Sequence, residues 1–269
     1  MSPAILVINL DRDADRLAYM QAQLARAALP FARFSAIDGA DLPAPMRSYF
    51  PPGTPLSRGE IGCYASHLAI CQRIAARRVR APVLVLEDDV ALPGDLPALM
   101  ASLILALPPR WDIVRLSYPS KRITRPVAPL GDGRELVRYS QTPTSTGAYL
   151  ISRSGAEKFL APQPRRLPID HDLRRVWAWD LETYGVMPAP VRADAFGGST
   201  IDAMGSRQRV RRRAQDEREA LARFRRGVRD FGLAGWIAAE AVNTAGMLAP
   251  RAARPALFAW ARARIARVA

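Results

Sequence analysis

Cysteine is scarce in this 269-residue chain, with only Cys63 and Cys71. Two thiols eight residues apart, without a companion pair, build neither a disulfide framework nor a cysteine-rich zinc site, and they fit a reducing compartment. Both are expected to be small core fillers. Histidine is equally rare, limited to His67 and His171, and lysine is confined to Lys121 and Lys158. The positive charge is therefore carried almost wholly by arginine. Missing too is any run of the about 18 apolar residues that a membrane span requires. The nearest candidate, residues 231–249, is interrupted by Glu240 and Asn243. The apolar run at residues 4–10 has no basic segment before it and Asp11 and Arg12 directly after it, so no secretory signal is expected. A soluble or peripheral protein on the cytoplasmic side is the expectation. There is no internal repeat, no low-complexity stretch and no glycine-rich phosphate loop of the Walker type.

About half of the residues are apolar (49%), enough for a substantial core. The net charge of +14 is unevenly spread. Residues 207–269 hold fifteen arginines against five acids, and the rest of the chain is close to balanced. A positive field of this kind attracts mainly through the tail.

The run Ala4-Ile5-Leu6-Val7-Ile8-Asn9-Leu10 reads as a strand buried on both faces. A helix follows over residues 13–28, with Leu17, Met20, Leu24 and Ala28 as its apolar stripe. Residues 31–36 read as a strand running into the turn pair Asp38-Gly39. Ser57 with Glu60 makes a capping box for a helix reaching about residue 78. Strands are expected at 83–86, 111–116 and 148–151, helices at 96–107, 154–160 and 170–179, an extended segment at 185–191, and a hairpin or excursion over 118–141 turning at Gly131-Asp132-Gly133. Strands alternating with helices predict an α/β fold with a mainly parallel sheet.

The strongest chemical signal is Glu87-Asp88-Asp89, directly after the strand residues Val83-Leu84-Val85-Leu86. Ligands of open α/β sheets bind at the carboxyl ends of strands. Grouped carboxylates repel one another unless a cation compensates, and a hard divalent ion such as Mg²⁺ or Mn²⁺ suits oxygen ligands and can bridge two phosphates. The same acids would also serve as a solvated turn.

Six ordered motifs carry a resemblance. They are Ile8-Asn9-Leu10-Asp11-Arg12 with Asp15-Arg16, Ala36-Ile37-Asp38-Gly39, Gly59-Glu60-Ile61-Gly62 with Ser66-His67, Val85-Leu86-Glu87-Asp88-Asp89-Val90, Gly147-Ala148-Tyr149-Leu150-Ile151-Ser152 with Gly155-Ala156, and Leu167-Pro168-Ile169-Asp170. Over roughly residues 5–195 the chain resembles glycosyltransferase family 25, which includes bacterial lipopolysaccharide glycosyltransferases and collagen galactosyltransferases. The resemblance implies a single Rossmann-like nucleotide-sugar transferase domain of GT-A type over residues 1–205, followed by a basic amphipathic helical tail over 206–269. It implies an inverting transfer of a hexose, galactose before glucose, from a UDP-sugar to a lipopolysaccharide or other glycan acceptor, assisted by a divalent metal, Mn²⁺ before Mg²⁺.

Carried onto this chain, Asp89 is the first metal ligand, with Glu87 holding metal or donor beside it and Asp88 facing the sugar or supporting its neighbours. His171 is a further metal candidate. Asn9, Asp11, Arg12 and Arg16 are expected at the diphosphate, where backbone N–H groups and guanidinium forks suit an anion. Asp38 and Gly39 are expected against the nucleoside, and Glu60, Ser66 and His67 on one helix beside the donor. Asp170, with Asp172 second, is the candidate base for the acceptor hydroxyl; Asp170 after Pro168 is equally suited to cap a helix.

In the tail, Trp236, Ile237, Leu257, Phe258, Trp260 and Ile265 interleave with Arg254, Arg262, Arg264 and Arg267. That pattern suits an anionic inner-membrane surface bearing a lipid-linked glycan acceptor, or packing on the tail's own domain. Ser199-Thr200-Ile201 matches a short motif too brief to carry a role. The alternatives from other classes are a metal-dependent hydrolase or nucleotidyltransferase acting on nucleotide-sugars, and a basic nucleic-acid-binding protein. The latter is disfavoured, since no recognition module is visible and the charge sits in the tail.

Overall fold

The computed structural model describes residues 2–118, 120, 122–192, 196 and 217–265. The expected domain boundary, the start of the tail helix and Ser199-Thr200-Ile201 lie outside them.

Eight strands form one sheet in the order β2-β1-β3-β7-β4-β8-β6-β5. They are β1 (Ala4–Asn9), β2 (Ala32–Ser35), β3 (Val83–Glu87), β4 (Ile113–Arg115), β5 (Thr124–Gly131), β6 (Arg134–Tyr139), β7 (Ala148–Ile151) and β8 (Thr183–Met187). The continuous apolar runs of β1 and β3 are explained by burial on both faces. Leu6, Ile8, Val83 and Val85 point to one core, and Ile5, Val7, Leu84 and Leu86 to the other. The first core is roofed by the single-turn α2 (Ala44–Arg47), α3 (Arg58–Ala75), α5 (Arg153–Phe159) and α6 (Ile169–Arg174), and the second by α1 (Ala14–Arg26) and α4 (Leu96–Ala106).

The sheet is mixed, which corrects the expectation of a mainly parallel one. β1 pairs in parallel with β2 and β3, and β4 with β8, while the other four pairings are antiparallel. Two insertions cause this. β7 runs backwards between β3 and β4, and the β5–β6 hairpin brings β6 backwards onto β8. The hairpin turns at Gly131-Asp132-Gly133, all three with positive φ, as a tight connection demands.

The predicted cap of α3 is present: the Ser57 hydroxyl accepts from the Glu60 N–H (3.3 Å), and the Glu60 carboxylate accepts from the Ser57 N–H (2.8 Å). The helix expected over 170–179 is shorter. α6 stops at Arg174, and a single 3₁₀ turn over Val176–Ala178 follows, because Arg175 leaves helical dihedrals (φ −83°, ψ 58°).

The C-terminal part forms α7 (Glu217–Phe231), α8 (Leu233–Leu248) and α9 (Arg254–Ile265). It packs on its own chain through Phe231, Trp236, Ala239, Phe258 and Ala261 around Ile123. Asn243 fixes the contact, accepting from the Ile123 N–H and donating to the Ser140 hydroxyl, each at 3.0 Å. Glu182, before β8, gathers Arg138, Arg226 and Arg229. Leu233, Ile237, Met247, Leu248 and Trp260 remain exposed on these helices. No helix among the described residues is long and apolar enough to cross a membrane.

Candidate active site

The parallel strands β1 and β3 end side by side, and a cleft opens beyond their tips. Asn9 ends β1 and is buried. Its amide donates to Asp88 Oδ2 (2.7 Å) and to the Asp13 carbonyl (2.9 Å), and its oxygen accepts from Arg33 Nε (2.9 Å). Arg16, one turn into α1, reaches back to Asp88 (3.2 Å) and Asp89 (3.3 Å). The amino end of α1 and the carboxyl end of β3 are thereby tied together.

The three acids differ electrostatically. Burial works to raise Glu87, but the nearby His67, the hydrogen bond from Thr146 and the positive charge of Arg115 outweigh it and hold the carboxyl below its usual value. Asp88 is raised by burial despite Asn9 and Arg16. Asp89 is pushed up to about 6 by burial and by the charges of Glu87 and Asp88, with Arg16 opposing.

The opposite wall is the loop carrying Asp38 and Gly39, pressed on the first turn of α3. A Cβ on Gly39 would stand 2.0 Å from the Arg58 carbonyl, and one on Gly62 2.5 Å from the Ile37 carbonyl. Both glycines are required by this close approach. Ser66 stitches the same contact, accepting from the Ile37 N–H and donating to the Gly62 carbonyl, each at 2.8 Å. Asp38 accepts from Arg58 Nε (2.7 Å) and the Ala40 N–H (2.9 Å), chiefly the former holding its carboxyl at about 2.

At the floor, α3 supplies Cys63 and His67. His67 is 1% exposed. Its Nδ1 shares a 2.7 Å hydrogen bond with the Tyr149 hydroxyl, and its Nε2 stands 3.6 Å from Glu87 Oε1. The Thr146 hydroxyl donates to the same carboxylate. Cys63, His67 and Glu87 form a group able to hold a metal ion, the one such group of three among the described residues.

Of the residues singled out in the sequence, Asn9, Arg12, Arg16, Asp38, Gly39, Ser66, His67, Glu87, Asp88 and Asp89 all line the cleft. Others are placed elsewhere. Asp11 turns to the surface, bonded to Ser35 (2.7 Å) and Arg33. Glu60 is occupied in the helix cap. Asp172 is buried between Tyr64 (3.0 Å) and Arg175 (2.9 Å), both of which occupy its carboxylate. His171 is exposed on α6 and stands outside that group of three. Asp170 does not cap α6, whose N-cap is Pro168. It stands half-buried in the first turn, accepting from the His171 N–H (2.9 Å), and its charge acts on the Cys63 thiol and on Arg115. Sequence reasoning missed Arg58, Thr146 and Tyr149, and it took Cys63 for a core filler although Cys63 lines the cleft.

A family model described as glycosyltransferase family 25 (LPS biosynthesis protein) matches residues 2–173. The chain belongs to glycosyltransferase family 25. It is 28% identical over 226 residues to a probable inactive glycosyltransferase 25 family member 3 of Rattus norvegicus, covering 73% of this chain and 39% of the rat protein. It is 33% identical over 187 residues to the inactive glycosyltransferase 25 family member 3 of Homo sapiens, covering 63% of this chain and 31% of that protein. Procollagen galactosyltransferase 1-B of Xenopus laevis is 31% identical over 186 residues, covering 63% and 30%. The chain thus spans between about three tenths and two fifths of the length of such relatives, some of them named inactive. The family 25 match takes in every motif from β1 to α6 and leaves the three C-terminal helices outside it.

Proposed function

We propose that this family 25 domain, of GT-A type, is an inverting hexosyltransferase that moves a hexose, galactose before glucose, from a UDP-sugar to a lipopolysaccharide or other surface glycan. One observation carries the reading: the acids ending β3, the arginines opening α1 and the Asp38–Gly39 loop all face one cleft. The procollagen galactosyltransferases among the relatives support galactose.

In this reading Arg12 and Arg16 hold the donor diphosphate, and Asp38 with Gly39 borders the nucleoside while Arg58 fixes the Asp38 carboxylate. Asn9 and Arg16 hold Asp88 in place as a support. The donor set fits a hard divalent ion, Mn²⁺ before Mg²⁺, since the oxygen ligands Glu87 and Asp89 share the cleft, and Asp89 is lifted to about 6 by burial and by the charges of Glu87 and Asp88, which Arg16 only partly offsets. Such an ion supplies charge neutralisation for the departing diphosphate. Asp170 takes the proton of the acceptor hydroxyl as its oxygen attacks the anomeric carbon, and the bond from that carbon to the diphosphate oxygen breaks on the opposite face, releasing UDP. The exposed apolar residues of α7–α9, set among arginines, support a peripheral position on the cytoplasmic face of an anionic membrane, beside a lipid-linked acceptor.

The test is a thermal-shift screen of nucleotide-sugars with and without Mn²⁺, followed by product analysis. A UDP-hexose should raise the melting temperature only with metal, because a tight ligand stabilises by mass action. Free sugar released from donor alone, at a rate unaffected by acceptors, would replace the transferase with a hydrolase.

A further inference from the structure

We propose that Cys63, His67 and Glu87 form a binding site for a thiolate-accepting divalent transition ion of the Zn²⁺ class. It lies in the floor of the cleft and differs in ligand chemistry from the hard-ion role given to Asp89.

The site is built by two elements. Cys63 and His67 are four residues apart on α3 and so share one face, one turn from each other. Glu87 is delivered opposite them by the last residue of β3. The ligand atoms of the three lie within 4.8 Å of one another. Ligands at about 2.0–2.3 Å from a tetrahedral ion stand about 3.3–3.8 Å apart. His67 Nε2 and Glu87 Oε1 already meet that spacing at 3.6 Å, and the thiol needs to close by about an ångström at most.

His67 gives the independent sign. Its Nε2 is buried, faces this group and has no hydrogen-bond partner, whereas buried side-chain polar atoms are nearly always satisfied. Its other nitrogen is held by the Tyr149 hydroxyl. A ligating histidine is usually fixed in this way, with the distal nitrogen oriented by a neighbour. Thr146 does the same for the Glu87 carboxylate. All three residues line the cleft, so three protein ligands face an open side, the arrangement of exchangeable rather than closed structural zinc sites.

One sulfur, one nitrogen and one oxygen select a borderline ion over Mg²⁺ or Ca²⁺. On binding, the Cys63 S–H bond breaks, the electron pair goes to the metal–sulfur bond and the proton leaves to solvent. Because the ion engages Glu87, it competes with a hard ion shared between Glu87 and Asp89.

The proposal does not depend on the transferase reading, since the test uses neither nucleotide nor sugar. Co²⁺ is titrated into the chelator-treated full chain, and near-ultraviolet absorption is followed. One equivalent should generate a thiolate-to-cobalt charge-transfer band that Zn²⁺ bleaches and Mg²⁺ does not. Cys63→Ser should abolish the band, Cys71→Ser should keep it, and Tyr149→Phe should weaken Co²⁺ binding about 10- to 100-fold. Absence of the band in the unsubstituted protein at saturating Co²⁺ would overturn the proposal without any variant having to fold. So would a band that survives Cys63→Ser.

Discussion

Asn9 and Asp88, 79 residues apart in sequence, meet through a 2.7 Å hydrogen bond that locks the tip of β1 to the tip of β3. Asn9→Ala leaves a buried carboxylate short of a donor. The expected loss is about 1–3 kcal/mol in chemical denaturation, together with weaker donor binding in titration calorimetry. Wild-type stability would mean that Arg16 alone is enough to hold Asp88.

Asp89 predicts a pH signature. Its folded value of about 6 lies above the ordinary 3.8. Its stabilising contribution is therefore complete below about pH 4 and lost as the pH rises through about 6. In metal-free protein, Asp89→Asn should be more stable than the parent at pH 7, by on the order of 1–3 kcal/mol, and nearly equal to it at pH 4. Metal-dependent donor binding should weaken below about pH 6 in the parent. Melting curves at the two pH values decide the first point, and a pH series of donor titrations the second.

Gly39→Ala drives a methyl group into the backbone carbonyl of Arg58. A cost of about 1–3 kcal/mol is expected, with donor affinity falling further than stability alone explains. Equal donor affinity in folded Gly39→Ala would detach this loop from ligand binding.

Asp170→Asn should keep donor and metal binding while lowering the transfer rate about 10²- to 10⁴-fold, the usual contribution of a positioned base. Stopped or steady-state kinetics at saturating donor separate the two effects. An unchanged turnover number removes Asp170 from the chemistry.

The helices α7–α9 cannot simply be deleted to probe a membrane role, because Trp236 and Asn243 are part of the packing on Ile123 and Ser140. The suitable variant is Ile237→Ser with Leu248→Ser, both more than half exposed. Sedimentation with anionic vesicles should drop several-fold with the melting temperature unchanged. Undiminished sedimentation would end the proposal of an apolar membrane contact.

Much of this was legible in the sequence, for identifiable reasons. The β1 and β3 runs announce strands buried on both faces, and acids placed directly after such a strand fall at its carboxyl end, where the cleft is. The reversal of β7 was not legible, since four apolar residues carry no direction and only pairing supplies it. Asp170 and Asp172 both read as candidate bases, the former first, and two residues along a helix turn a side chain by about 200°, so that burial took the second of them. Glu60 had two possible tasks, and the local cap, available within one turn, prevailed. Cys63 looked inert because nothing in one dimension reveals that Glu87 arrives beside it.

The contact of Gly39 with the first turn of α3 sets backbone against backbone, and Ser66 and the Asp38–Arg58 pair add side-chain ties between the rim of the cleft and the helix bearing Cys63 and His67. The rim is thus anchored to the floor by main-chain contact, whereas the facing wall is held by the ionic contacts of Arg16 with Asp88 and Asp89.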